Sequence, residues 1–263
     1  MTTFKNRLVS LLTSILSSMI ISFSTYSKIP MPRVEWDEKN RKYSLIFFPF
    51  IGAVIGGLLC GWWWLSEVLG FGIIMKSAVA LVIPVFITGG IHLDGFIDTV
   101  DALSSYQPKE RKLEILKDPH TGAFALIGCC TYFILYFGAL TELKSLKAYL
   151  LVSLGFILSR ALSGLGLVLF RSARKQGLLY AFSSSAHRGI TGFSLGVIIL
   201  LCLGFLLSVD IIGGSVLFFT ALLIFWYYRR ISYSQFGGIT GDLAGFFLQI
   251  CELAMVIVIT VVL

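Results

Sequence analysis

Charge is scarce in this chain. Asp, Glu, Lys and Arg make up 13% of its 263 residues, about half the share found in soluble domains. Nor is there enough polar surface to wet the outside of a soluble protein that is 57% hydrophobic. The mean hydropathy of +0.89 points to lipid as the solvent instead. No polar stretch is long enough to enclose a second core, so residues 1–263 read as a single integral membrane domain. The alternating pattern of a membrane β-barrel is missing, as is a cleavable signal peptide. Five cysteines (Cys60, Cys129, Cys130, Cys202, Cys251) sit in apolar runs without zinc-ligand spacing and read as small hydrophobes. There is no Walker A loop, no GxGxxG, no Cys–His nucleophile set and no nucleic-acid module, and the three histidines form no pair.

What is present is a series of apolar segments, each near the roughly 20 residues that a span requires: 45–66, 77–97, 122–141, 147–170, 190–208, 211–228 and 243–263. A weaker one at 8–26 is interrupted by serines. The fold class is therefore all-α, a polytopic transmembrane bundle of about seven to eight segments.

Positive charge orients it. Lys28, Arg33, Lys39, Arg41, Lys42, Lys109, Arg111, Lys112, Lys117, Arg171, Arg174, Lys175, Arg188, Arg229 and Arg230 fall on one side of an alternating assignment. Lys76, Lys144 and Lys147 fall on the other. Fifteen against three marks the first side as cytoplasmic, with the chain expected in the cytoplasmic (inner) membrane. The net charge of +7 is then topology, not nucleic-acid binding. A spanning first segment would carry Lys5 and Arg7 outward against this rule, so that segment is expected to be re-entrant or interfacial.

Carboxylates gather at the inner edge. In Gly89-Gly-Ile-His-Leu-Asp-Gly-Phe-Ile-Asp-Thr-Val-Asp101, a helix would place Asp94, Asp98 and Asp101 at i, i+4 and i+7, within about 60° of one another. Three like charges on one stripe destabilise a helix unless a cation compensates them, and acids beside a membrane segment are costly. An oxygen-only ligand set suits a hard ion, Mg²⁺ before Zn²⁺. His92 points away from this stripe and reads as structural.

Other polar groups flank the same edge. The loop from Lys109 to His120 contains Lys117 and Asp118; it is either an ordinary wet loop or a phosphate-facing one opposite the metal. Arg171 and Arg174 lie in a basic loop suited to an anionic substrate or lipid headgroups. Gly237-Gly-Ile-Thr-Gly-Asp242 enters the last apolar segment, where Gly237, Gly238 and Thr240 suit a phosphate approach and Asp242 a helix start. Glu252 lies ten residues on, about 15 Å deeper. Arg160 sits at similar depth in its own segment, so a buried Arg160–Glu252 ion pair is expected.

The ordered motifs resemble those of the cobalamin 5′-phosphate synthase (adenosylcobinamide-GDP ribazoletransferase) family. The acidic stretch 89–101 looks like its signature. Lys28-Ile-Pro-Met-Pro32, Phe47-Phe-Pro-Phe-Ile-Gly52, Leu116-Lys-Asp-Pro-His-Thr-Gly122, Ser159-Arg-Ala161 and Gly237–Asp242 with Glu252 follow in family order across nearly the whole chain. Lys28 departs from an expected Arg, and Val100 and Leu103 from smaller residues.

The resemblance implies transfer of the adenosylcobinamide phosphate moiety of adenosylcobinamide-GDP to α-ribazole or its 5′-phosphate, with release of GMP. It implies Mg²⁺ on Asp94, Asp98 and Asp101, with Asp101, Asp118 or Asp242 taking the hydroxyl proton. Lys117, Arg160, Arg171 and Arg174, with Gly237, Gly238 and Thr240, would contact substrate. The site would open to the cytoplasm; an oligomer is compatible with the pattern. Two other readings share the acid spacing. A CDP-alcohol-type phosphotransferase lacks its Asp-Gly-x-x-Ala-Arg pattern here. A cation transporter would need its acids in mid-span.

Overall fold

The computed structural model describes residues 2–263, and side chains from residue 12 onward; Lys5 and Arg7, which bear on the orientation of the first segment, lie outside the described side chains. Twelve helices are described: α1 (Thr2–Tyr26), α2 (Glu38–Arg41), α3 (Ser44–Val68), α4 (Ile73–Thr88), α5 (Ile91–Ser104) and α6 (Lys109–Ile115), then α7 (Ala123–Glu142), α8 (Leu146–Leu169), α9 (Leu178–Ser185), α10 (Arg188–Val209), α11 (Ile211–Ile231) and α12 (Gly241–Val262). A π-helical turn, Ser232–Phe236, extends α11. Among the described residues there is no strand, only an isolated bridge between Ser172 and Ile239.

Six helices are long and apolar enough to cross a membrane: α3, α7, α8, α10, α11 with its π turn, and α12. The segment expected as one span at 77–97 is instead two helices. α4 and α5 meet at a 95° bend, because Gly89 (φ 65°) and Gly90 (φ 78°) adopt left-handed conformations that only glycine takes without strain. Lys28 packs over Gly89, and its backbone N–H donates to Ile87 O at 2.7 Å. Counted as one broken span, the pair makes seven.

The described apolar part of the first helix, Leu12–Tyr26, is short of a span. Ser14 and Ser18 donate to the backbone oxygens of Lys39 and Asn40, at 3.2 and 2.6 Å. At its other end, Tyr26 packs on Phe48 and His92. The helix thus packs on the α2 segment, on Phe48 of α3 and on His92 of α5.

α8 is the hub of the core. Gly52 and Gly56 of α3 press directly on the backbone of Phe156 and on Ser153. Ser153 Oγ in turn donates to Gly56 O at 3.0 Å. Small residues permit this close approach, which supplies the packing that holds helices together in lipid. The charges at the two ends of the bundle are arranged differently. At one end Lys147 pairs with Asp210 at 2.7 Å, Lys144 with Glu142 at 3.3 Å, and Lys76 with Glu67. At the other, the four cation-rich loops meet. His187 N–H donates to Lys42 O at 3.1 Å, Ala173 N–H to Ile239 O at 2.9 Å, Lys112 Nζ to Gln235 Oε1 at 2.5 Å, and Arg174 to Leu113 O. The four loops that the charge pattern assigned to one side therefore share one face of the bundle.

Candidate active site

The site is built where α5 crosses α12. A Cβ on Gly95 would stand 2.8 Å from Asp242 Cα, and one on Gly245 would stand 2.7 Å from His92 O. These two glycines allow backbone contact between the helices, and that contact sets Asp94 and Asp98 beside Asp242. Thr240 caps α12, accepting from Leu243 N–H at 3.2 Å and donating to Asp242 Oδ2 at 3.3 Å. The cap is thus Thr240 and not Asp242, which stands in the first turn with its carboxylate free to face the site.

The charges of Asp94, Asp242 and Asp101 all act on Asp98. Among the described residues, none of the four makes an ion pair. Arg174 lies near Asp242 on the same cavity wall, but its guanidinium is engaged by Leu113 O. Oxygen-only side chains of this kind would suit a hard ion such as Mg²⁺ rather than a soft one. No three such side chains converge into a ready-made metal-binding group among the described residues.

A cavity of about 250 Å³ opens beside Asp94 and Asp242 and is walled further by Thr240, Arg174, Ser163 and His92. Arg174, Gln176 and Gly177 also border an adjoining open depression of about 580 Å³, which holds Lys117 and Lys175. The cavity with Asp94 and Asp242 thus adjoins, across residues 174–177, a basin of mixed charge that carries Lys117, Arg174 and Lys175 beside Glu110 and Glu114.

The remaining expected site residues are placed differently. Asp98 and Asp101 are not on the cavity wall, and the Asp101 carboxylate packs against Gly122 at the start of α7. Asp118 is exposed and bonded to His120, whose backbone N–H donates to it and whose ring lies 2.8 Å away; both hold its carboxyl below the usual range. Arg160 is 1% exposed and pairs with Glu252 at 2.6 Å, with Ser159 Oγ also donating to that carboxylate. The buried pair expected from depth is therefore formed, and it occupies Arg160 away from the cavity.

Arg171 is exposed. Its guanidinium donates to Gly237 O at 2.8 Å and stands over the Tyr233 ring. Gly237 (φ 75°) makes the turn out of the π helix, and Gly238 lies hard against the backbone of residues 171–173. Gly237 answers to a backbone turn and Gly238 to close packing, and neither lines the cavity. Residue order gave little warning of Tyr26, Phe48 and Gln176 as cavity residues; only the aromatic run at 47–50 lies among the motifs.

The family described as cobalamin-5-phosphate synthase has a sequence model that matches residues 18–260. The adenosylcobinamide-GDP ribazoletransferase of Lachnoclostridium phytofermentans is 46% identical over 238 residues, covering 90% of this chain and 91% of that one. A protein of the same name from Clostridium botulinum (strain Alaska E43) is 33% identical over 245 residues, with 91% and 95% covered. Another, from Treponema denticola, is 33% identical over 260 residues, with 91% and 96% covered. No solved structure matches the chain.

Proposed function

Because the chain belongs to the cobalamin-5-phosphate synthase family, we propose that it is an adenosylcobinamide-GDP ribazoletransferase of cobalamin biosynthesis. A ribose hydroxyl of α-ribazole, or of its 5′-phosphate, attacks the cobinamide-side phosphorus of adenosylcobinamide-GDP. The new P–O bond forms as the bond to the GMP oxygen breaks, and the hydroxyl proton passes to a carboxylate. The observation that carries this reading is the pairing of Asp94 and Asp242 in one cavity that continues into the Lys117 and Arg174 basin.

Of the three candidate bases, Asp101, Asp118 and Asp242, only Asp242 lines the cavity, so we assign the proton to it. Lys117 and Arg174 receive the diphosphate and the departing GMP, where cations stabilise developing negative charge. Asp94, Asp98 and Asp101 are assigned to Mg²⁺, with Asp242 facing them. When bound, the ion neutralises the diphosphate. Arg171 acts on the site through the Gly237 loop it holds. The polar end faces the cytoplasm of the inner membrane, because the unpaired Lys and Arg are gathered there and both substrates are water-soluble.

Family membership favours this reading over a CDP-alcohol-type phosphotransferase or a cation transporter. The test is GMP formation by purified protein in detergent, with each substrate omitted in turn. GMP that depends on both substrates is expected. Cation uptake by reconstituted vesicles, with no GMP formed, would refute the assignment.

A further inference from the structure

The chemistry above leaves several cavity residues unused: Tyr26, Phe48, Leu179 and His92 also line it. The His92 ring lies nearly parallel to Tyr26, with centroids 6.2 Å apart at 23°, and meets Phe48 edge-on at 5.6 Å. His92 is 5% exposed, yet its Nε2 has no hydrogen-bond partner. A buried polar atom left unpaired carries a desolvation cost that a ligand can relieve. Flat rings with an unpaired buried nitrogen among them fit a flat heteroaromatic ring that is largely apolar and offers a partner for that nitrogen.

The two substrates offer three bulky groups. The corrin macrocycle is too large for a cavity of about 250 Å³. Guanine, with several donors and acceptors on its edges, is better matched by Ser172, Arg174 and Gln176 of the same cavity than by its aromatic side chains. The methylated benzimidazole of α-ribazole has one free ring nitrogen and otherwise apolar edges. With that base among the aromatic side chains, the attached ribose points along the same cavity toward Asp94 and Asp242.

On the transferase reading, we propose that the aromatic end of the cavity binds the base of the acceptor nucleoside. His92 is then the specificity residue that hydrogen-bonds the base's free ring nitrogen.

The test is steady-state kinetics of the full-length protein, varying each substrate while the other is saturating. His92→Phe keeps a ring and removes the polar nitrogens. It should raise the KM for α-ribazole about tenfold, the scale of one lost buried hydrogen bond, and leave the KM for adenosylcobinamide-GDP within about twofold. Wild type should also discriminate against an indole analogue that lacks the ring nitrogen, and His92→Phe should not.

Leu179→Trp fills the same space from α9 and should raise the same KM; it decides the matter if His92→Phe does not fold. Unchanged KM for α-ribazole, or equal rises in both KM values, overturns the proposal while wild-type GMP release keeps the transferase reading intact. Absence of GMP from wild type with both substrates overturns that reading, and this proposal with it.

Discussion

Two groups of ionisable side chains enter this bundle, and they are built in opposite ways. Arg160 and Glu252 are 1% and 2% exposed and 2.6 Å apart, and Ser159 Oγ donates to the same carboxylate oxygen. Asp94, Asp98, Asp101 and Asp242 stand around the α5–α12 crossing with no ion pair among them, next to a cavity and a basin that open outward. The first group is closed and compensated, which membrane burial demands of a structural element. The second holds like charges together at a cost to the fold, which is the arrangement expected where a cation and a diphosphate supply the missing interactions.

This contrast can be broken in graded steps. Asp98→Asn removes a site charge and relieves repulsion. GMP release should fall by about 10²–10⁴-fold, while the unfolding midpoint in detergent stays level or rises. A variant that loses stability and keeps turnover would reverse the assignment.

Glu252→Leu should act the other way. It leaves Arg160 buried and unpaired, a cost of about 3–5 kcal/mol, readable as a lowered unfolding midpoint. The double variant Arg160→Met, Glu252→Leu should regain most of that stability and retain turnover. A stable but inactive double variant would show that Arg160 acts on substrate.

Arg174→Ala should raise the KM for adenosylcobinamide-GDP about tenfold, as for a lost charge-assisted contact, with a smaller change for α-ribazole. Lys147→Ala, at the paired-charge end of the bundle, should leave turnover within about twofold of wild type. A larger loss would mean that this end also takes part.

Much of the fold was legible because the hydrophobic runs are long and their flanking charges lopsided. The i, i+4, i+7 spacing of Asp94, Asp98 and Asp101 placed them on one helix, and α5 carries all three. Depth counted along two helices was enough to pair Arg160 with Glu252.

The break between α4 and α5 was hidden, since residues 77–91 read as one largely apolar run and only the dihedrals of Gly89 and Gly90 reveal the bend. The roles of Gly237 and Gly238 were equally obscure. A glycine-rich stretch suits a phosphate as well as it suits close backbone packing, and only the contact with residues 171–173 separates the two. The aromatic wall of Tyr26 and Phe48 depends on how α1 packs on α3 and α5, which no local pattern encodes.

The central claim is that the open carboxylate cluster serves catalysis by holding a divalent cation. Its most direct test is GMP release by the purified wild-type protein after chelation, followed by graded addition of Mg²⁺. The account predicts no release in chelator and a saturable return with Mg²⁺ that Asp98→Asn does not show. Full-rate GMP release in the presence of excess chelator would contradict it.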